Sequence, residues 1–223
     1  LIGWLTESIL LEQKMKNDDR FLLIFTLLKK KMKAKEIFPT HLYGESFIDF
    51  DSNYIEKLLA SIELLRRGDI NGRAISNYNF GWQSQNMPTE EGVFKNLLKK
   101  IEQEAFLFCE SIENFSFINV KMDSLWANIN YENDINWPHK HGGDISGVYY
   151  LDVNENCGDL SLSTFNYSEN IPLQKHLRSK YNKLIKPENK KLILFDSDCV
   201  HAVLKNFSGK PRISLSFNLK IYD

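Results

Sequence analysis

The feature that most constrains the fold is a change of hydrophobic period at Phe115. From there to the C-terminus, apolar and polar residues alternate in short runs, as expected for strands that bury one face. A mainly β core therefore follows, with a segment at 166–190, containing two prolines and several lysines, as a long insertion or lid. The predicted strands are residues 115–121, 124–131, 144–153, 158–164, 191–196, 199–205 and 211–221.

Upstream of Phe115 the apolar residues follow a helical period. Between Asp51 and Gly68 they recur every three or four positions, which predicts a helix capped by Asp51 or Ser52 and ended by Gly68. A second helix is predicted from near Thr89 to about Ser111. We expect these N-terminal helices to brace one face of the sheet.

The length of 223 residues suits one domain with a substantial core. The apolar run at 21–28 is too short to span a bilayer, and lysines follow it instead of preceding it, so it does not match a signal peptide. We therefore expect Met32 to be the natural start. The expected boundaries are an N-terminal extension at 1–36 and one domain at 37–223, with a helical part at 51–113 and a β core at 115–221.

The charge balance narrows the choice of partners. The chain carries 28 Lys and Arg against 29 Asp and Glu, so no global field attracts nucleic acid or anionic lipid. We expect no membrane or nucleic-acid partner, but a small-molecule or peptide substrate. The 3 cysteines show no paired spacing, which favours neither a disulfide framework nor a cysteine zinc site and predicts a cytoplasmic location. The sequence leaves the oligomeric state open.

Three histidines form the most distinctive polar pattern. His139 and His141 lie two residues apart in an extended segment and are expected to point the same way, and His201 follows a predicted strand. Ferrous iron in oxygenases is commonly held by two histidines and a carboxylate, and neutral imidazole binds iron well. Here the carboxylate is missing unless Asp144 supplies it, so a three-histidine site and a site containing Asp144 both remain open. Without the other motifs, the ordinary interpretation of His139 and His141 would be two exposed loop residues. His201 alone would ordinarily be a hydrogen-bonded strand histidine.

The last predicted strand presents a polar face that contains Arg212 and Ser214. A guanidinium offers a planar fork that matches a carboxylate, and the serine adds a hydroxyl donor on the same face. Such a face can also lie in water, with the arginine in a surface ion pair. Beside the histidines, this Arg-x-Ser pair predicts a binding site for an organic acid.

Several separated motifs occur in a fixed order along the chain. They are Phe38-Pro39-Thr40, Ser76-Asn77, Gly81-Trp82-Gln83-Ser84, Trp126-Ala127-Asn128-Ile129-Asn130, His139-Lys140-His141, Ser146-Gly147-Val148-Tyr149-Tyr150 and Arg212-Ile213-Ser214-Leu215-Ser216-Phe217-Asn218. In this combination the chain resembles the 2-oxoglutarate and iron(II)-dependent oxygenases of bacteria and phages. The resemblance covers about residues 37 to 221.

This resemblance implies a double-stranded β-helix, a jelly-roll, cupin-like core braced by helices, whose mouth holds iron. The implied cofactors are iron(II) and the co-substrate 2-oxoglutarate. The implied reaction is the hydroxylation of an unidentified substrate by dioxygen, with release of succinate and carbon dioxide. The implied site residues are the metal ligands His139, His141 and His201, the 2-oxoglutarate anchor Arg212 with Ser214, and the cavity-wall residues Asn128 and Tyr150.

The chain departs from the family just before the distal histidine, where Phe195-Asp196-Ser197-Asp198 replaces the frequent Phe-Pro-Ser-Trp. This adds two carboxylates to which the sequence assigns no role. Trp82, after Gly81, is either part of a substrate entrance or a core tryptophan. Two other functions stay open: a non-enzymatic, phage-associated jelly-roll binding module, and a cupin-like three-histidine metalloenzyme that does not use 2-oxoglutarate. In the latter, Arg212 need not face the metal.

Overall fold

The computed structural model describes residues 35–38, 41–75, 81–88, 92–163 and 182–223, all within one compact unit, Met32–Asp223. The elements are β1 (Lys35–Phe38), β2 (His41–Phe47), α1 (Ser52–Gly68), β3 (Trp82–Gln83), α2 (Lys95–Glu110), β4 (Asn119–Asn130), β5 (Asn136–His139), β6 (Ile145–Asp152), β7 (Leu160–Ser163), β8 (Asn182–Ile185), β9 (Lys191–Asp196), β10 (Val200–Val203) and β11 (Arg212–Tyr222). Positions 1–34 of the predicted extension at 1–36 lie outside the described residues, whereas Lys35 and Glu36 already belong to β1. The motif residues Pro39, Thr40, Ser76 and Asn77 and positions 166–181 of the predicted lid also lie outside the described residues.

The strands of the described residues form two antiparallel sheets. The larger has seven strands in the order β1-β2-β9-β6-β11-β4-β3, and the smaller has four in the order β5-β10-β7-β8. The mainly β class with N-terminal helices is thus confirmed. In the parts of the chain that the structure describes, no helix is long and apolar enough to cross a membrane.

Several predicted strand boundaries need correction. The strands expected at 115–121 and 124–131 are one strand, β4, which pairs with β11 along its whole length. The register shifts where Asn218 faces Ser124 and Leu219 faces Met122, so Asp123 is an extra residue in a β-bulge. That bulge interrupts the period of two and accounts for the predicted gap. The prediction of a strandless lid is also wrong at its end, because β8 pairs with β7 there.

The two helices differ in how well the sequence located them. Asp51 caps α1 as expected, and its carboxylate accepts a hydrogen bond from the Tyr54 amide at 2.8 Å. Helix α2 begins at Lys95, not near Thr89 as predicted. Gly92 has a φ of +76°, a left-handed conformation that an α-helix does not accommodate, so the helix starts only after it.

Successive side chains of a strand point to opposite faces of the sheet, and the buried apolar side chains form two clusters. In the first, the helices pack on one face of the larger sheet, with Leu97 and Ile101 of α2 in the same cluster as Leu215 and Phe217 of β11. The second lies between the sheets. Its members are Tyr43, Val148, Tyr150, Leu160, Leu162, Ile185, Ile193, Phe195 and Cys199. The polar face of β11 is therefore turned toward the space between the two sheets, which is where the site lies.

Candidate metal and co-substrate site

The three predicted histidines come together in space. His139 ends β5, and His201 in β10 is its register partner in the smaller sheet. Their ring centroids are 4.3 Å apart, and each lies 4.8 Å from the ring centroid of His141. His141 does not continue the strand as expected; it lies in the following loop, where its amide donates to the Ser197 carbonyl at 3.3 Å. Candidate ligand atoms of all three lie within 4.8 Å of one another.

The surroundings of these rings keep them neutral. Burial lowers the pKa of His139 and of His141, the latter to about 4, and places the pKa of His201 well below its usual value. His201 Nδ1 lies 3.0 Å from the Cys199 carbonyl, and His139 Nδ1 contacts the Trp137 carbonyl. With Nδ1 as the donor in each pair, Nε2 carries the free lone pair. Neutral imidazoles arranged in this way are suited to bind a metal ion.

The carboxylate alternative is not formed. Asp144 is exposed, and its Oδ2 accepts a hydrogen bond from the Ile221 amide at 2.8 Å. Over the ranges that the structure describes, the group of candidate metal ligands contains histidines alone. The candidate donor set is therefore three imidazoles, a combination that is chemically compatible with ferrous iron.

Asp196 and Asp198, the two carboxylates where the sequence differs from the family pattern, have structural partners. Asp196 accepts hydrogen bonds from His41 Nδ1 at 2.9 Å and from the Leu42 amide at 3.1 Å, which joins it to β2. Asp198 pairs with Lys140 Nζ at 2.6 Å. This second pair connects the loop between His139 and His141 to the turn that precedes His201. Asp196 thus links the end of β9 to β2, and Asp198 forms an exposed ion pair, which contributes little to stability.

Arg212 is buried, at 2% exposure, and lines the same cavity as the histidines. Its Nη2 donates to Asn130 Oδ1 at 2.8 Å and its Nη1 to the Gly158 carbonyl at 3.1 Å, whereas its Nε is buried without a hydrogen-bond partner. Among the described residues, no carboxylate lies within ion-pair distance of it. Burial lowers the pKa of this guanidinium. A buried cation with neutral partners is costly unless an anion joins it.

The other predicted cavity residues are also in place. Ser214 is buried and lines the cavity together with Asn128 and Tyr150. Asn128 donates to Ser216 Oγ at 2.9 Å and accepts from Gln83 Nε2 at 2.9 Å. The polar face of β11, for which the sequence left water or a cavity open, thus lines a cavity.

Other residues of the site were not predicted individually. Asn130 orients Arg212, and its own Nδ2 donates to Asn136 Oδ1 at 2.8 Å. Trp126, Asn128 and Asn130 occupy every second position, which places all three on one face of β4. This spacing could have identified Asn130 as a cavity residue. Trp82 is a core tryptophan, 4% exposed, whose Nε1 donates to the Asp69 carbonyl at 2.7 Å. It therefore does not form an entrance.

Residues 124–218, from β4 to β11, match the sequence model of the family described as "Putative 2OG-Fe(II) oxygenase". The resemblance predicted from the motifs is thereby confirmed, and the expected cofactors, iron(II) and 2-oxoglutarate, are those of this family. No curated protein sequence gives a significant match.

Solved structures show the same fold at low identity. A prolyl-4-hydroxylase from Pseudomonas putida is 14% identical, with a TM-score of 0.55 over 80% of this chain and 93% of that one. The collagen prolyl hydroxylase of Paramecium Bursaria Chlorella virus-1, solved with 2-oxoglutarate, is 15% identical, with a TM-score of 0.53 over 81% and 96%. HygX from Streptomyces hygroscopicus, solved with nickel and 2-oxoglutarate, is 11% identical, with a TM-score of 0.52 over 80% and 82%. The double-stranded β-helix expected for the core is confirmed.

Proposed function

We propose that this chain is an iron(II)- and 2-oxoglutarate-dependent dioxygenase that hydroxylates a small-molecule or peptide substrate and releases succinate and carbon dioxide. One observation carries the proposal. A single cavity contains three neutral histidines and, on its wall, a buried arginine without a carboxylate partner among the described residues. The first group suits a metal ion, and the second suits an anion beside it.

The donor set fits ferrous iron. His139, His141 and His201 would hold the ion through ring nitrogens, and three protein ligands leave positions open for small molecules. When bound, the iron supplies the activation of dioxygen and, with 2-oxoglutarate, the oxidant for a C–H bond. The carbonyls of Trp137 and Cys199 fix two of the rings, so their ligand nitrogens are oriented before the ion arrives.

Arg212 and Ser214 would bind the distal carboxylate of 2-oxoglutarate. The guanidinium has an unused Nε, and the oxygens that it bonds to are neutral. Asp134 acts on it electrostatically but makes no ion pair with it. Asn130, held by Asn136, fixes the plane of the guanidinium before the ligand binds. Asn128 would contribute to the wall around the co-substrate.

Apolar side chains from both sheets form part of the cavity wall. Val148, Leu160, Phe195 and Val203 line the cavity between the histidines and the sheet walls. Tyr150 is also fully buried there, and burial raises the pKa of its hydroxyl, which stays protonated as a hydrogen-bond donor. The burial of Arg212 strengthens the attraction between its guanidinium and a bound carboxylate.

The placement of Arg212 favours this function over its two rivals. In a three-histidine metalloenzyme without a keto-acid, or in a binding module, nothing requires an unpaired buried arginine in the cavity that contains the histidines. Burying such a charge costs several kcal/mol, roughly, unless it is compensated. An anionic co-substrate supplies that compensation.

The test is an anaerobic titration of the purified protein with iron(II) and then with 2-oxoglutarate. A visible charge-transfer absorption band is expected when the keto-acid chelates the bound iron. Succinate is the matched control, because it lacks the keto group and gives no such band. Folded, iron-loaded protein that develops no band with 2-oxoglutarate would refute the proposed function.

A further inference from the structure

A second arginine, Arg73, lies against Trp126, a residue of the cavity wall. The Arg73 guanidinium carbon is 4.9 Å from the centroid of the Trp126 ring. Trp126 lines the cavity, and its ring centroid is 5.2 Å from that of His141. Arg73 also contributes, after burial and His139, to the lowered pKa of His141, as expected for a cation close to that ring. Its charge therefore acts on the site.

The backbone holds Arg73 in this position. Its amide donates to the Gln83 carbonyl at 2.9 Å, which fastens it to β3. The preceding residue, Gly72, has a φ of +56°, and a Cβ there would lie 2.5 Å from the same carbonyl, so only glycine allows this close approach. Trp82 Nε1 and the Gly72 amide both donate to the Asp69 carbonyl, at 2.7 and 3.2 Å. The segment is thus pinned against the sheet.

Most of the hydrogen-bonding capacity of this guanidinium is unused. Nη1 donates to Asn86 Oδ1 at 3.1 Å, whereas Nε is buried without a partner. In the described part of the chain, no carboxylate lies within ion-pair distance of Arg73. The nearby Asp69 carboxylate instead accepts from the Gly72 amide and from Gln85 Nε2. Cation–π contact with Trp126 orients the group but does not neutralise it.

Arg73 is separate from the proposed co-substrate anchor. It lies over Trp126, whereas Arg212 bonds to Asn130, four residues further along the same strand. Four residues of strand span roughly 13 Å. The two guanidinium groups therefore serve different parts of the cavity, with Arg73 on the side of His141.

We propose that Arg73 determines substrate specificity by binding a carboxylate of a small, amino-acid-sized substrate, a role that rests on the proposed function. The Nε and Nη2 edge of a guanidinium matches the two oxygens of a carboxylate, which favours a carboxylic acid over a neutral ligand. The Trp126 ring lies next to both Arg73 and His141. When Arg73 holds a carboxylate, the substrate carbons a few bonds from that carboxylate therefore lie beside the histidines. An uncharged substrate would leave the cation uncompensated.

The experiment compares matched probes, N-acetyl amino acids and the corresponding N-acetyl amino acid amides, which differ in the carboxylate alone. Binding is measured by ligand-observed saturation-transfer NMR on protein loaded with zinc(II) and saturating 2-oxoglutarate, so that the Arg212 region is occupied and no turnover occurs. For the wild-type protein we expect at least one acid to bind about tenfold or more tightly than its amide, the size of a charge-assisted hydrogen bond. Succinate formation with iron(II) gives a second readout of the same preference.

The variants assign the preference to one side chain. Arg73→Gln is expected to bring the ratio of acid to amide affinity close to one, and Arg73→Lys to leave an intermediate ratio. Arg67→Gln is the matched control, since it removes one cation that pairs with Glu63 on the exposed surface of α1. It should keep the wild-type ratio. Circular dichroism establishes that each variant is folded.

The outcomes separate the two proposals. In one outcome, the wild-type protein shows the charge-transfer band with 2-oxoglutarate and yet binds no acid. In another, it shows the band and binds every acid no more tightly than its amide. Either result leaves the proposed function standing and overturns the role of Arg73. An unchanged ratio in folded Arg73→Gln or Arg73→Lys overturns it as well. Absence of the band overturns the proposed function, and the substrate role of Arg73 with it.

Discussion

His201 of β10 stands opposite His139 of β5, with 4.3 Å between their ring centroids. Each ring directs Nδ1 toward a carbonyl two residues before it, Cys199 and Trp137 respectively. The two side chains are therefore arranged by one antiparallel pairing and by the same local contact. His141 is added from a loop, whose backbone contact is the hydrogen bond from the His141 amide to the Ser197 carbonyl. A metal ion would therefore join two strand positions that the sheet sets and one loop position.

Loss of the histidines is expected to remove iron in a graded way. His201→Ala should abolish iron loading because it removes the most buried of the three candidate ligands, and His139→Ala and His141→Ala should each weaken it severely. Metal content by elemental analysis is the measurement. His41→Ala is the control, since His41 bonds to Asp196 outside the trio and its variant should load fully.

If His139→Ala or His141→Ala retains full iron, that histidine is not a ligand. A residue that only orients a ligand would lower metal affinity by about 10–100-fold. Titration of the metal affinity distinguishes these outcomes.

Arg212→Ala is expected to leave iron bound and to weaken 2-oxoglutarate sharply. Removing one partner of a buried charge pair costs roughly 3–5 kcal/mol, which takes a micromolar ligand toward millimolar. Arg212→Lys should recover only part of the affinity, because lysine restores the charge without the planar fork. Calorimetry on iron-loaded protein without oxygen measures the effect. Unchanged affinity in Arg212→Ala would exclude this strand as the anchor.

Ser214→Ala should have a smaller effect on the same affinity. One hydrogen bond to a charged group is lost while the ion pair with Arg212 survives, so about 1.5–3 kcal/mol is expected. The same calorimetric titration gives the number. A loss as large as that of Arg212→Ala would mean that the serine also positions the arginine.

The sequence was sufficient for the class of fold and for the residues of β11 that face the cavity. Alternation along β11 placed Arg212 and Ser214 on one face and the apolar residues on the other, and that division holds in the structure. The periodic pattern depends on the local backbone alone, so it can be read without knowledge of the sheet order. The end of α1 at Gly68 was predicted for the same reason.

Features that depend on residues distant in the sequence could not be predicted. The pairing of Arg212 with Asn130 follows from the register between β11 and β4, and no local pattern specifies that register. Arg73 lies over the Trp126 ring, and the adjacent Gly72 fits against the Gln83 carbonyl, which is a tertiary contact. The carboxylates of Asp196 and Asp198 looked like candidate ligands because their partners, His41 and Lys140, were not known.

Gly147→Ala is expected to destabilise the protein by overpacking. A Cβ at this position in β6 would overlap the Phe217 ring and would lie 2.7 Å from the Ile193 carbonyl oxygen, which belongs to the neighbouring strand. Because backbone cannot move aside cheaply, a loss of about 1–3 kcal/mol in the free energy of unfolding is expected in urea denaturation. Gly68→Ala is the control, as no atom lies within 4 Å of its added Cβ. Equal stability of the two variants would contradict the close packing between these strands.

The metal-free protein is expected to lose stability as the pH falls below neutrality. Burial lowers the pKa of His201 well below its usual value and that of His141 to about 4, whereas an unfolded chain has histidine pKa values of about 6.5. Between pH 6.5 and about 4 the unfolded state thus binds protons that the folded state does not. The stabilisation is fully present above pH 6.5 and is lost as the pH falls, by roughly 1 kcal/mol per histidine for each pH unit.

Urea denaturation of the metal-free protein between pH 7.5 and 5 measures this slope. Carboxylates titrate over part of the same range, so the informative quantity is the difference between the wild-type protein and His201→Gln, which keeps a polar side chain of similar size without a titrating ring. The variant should lose less stability over this range, because one proton uptake by the unfolded state is removed. His41→Gln tests whether any histidine has this effect: it changes a ring that lies outside the cluster of three. If His201→Gln has the wild-type slope, the ring of His201 is protonated as readily in the folded protein as in the unfolded chain, and the site is not held in the neutral form that metal binding requires.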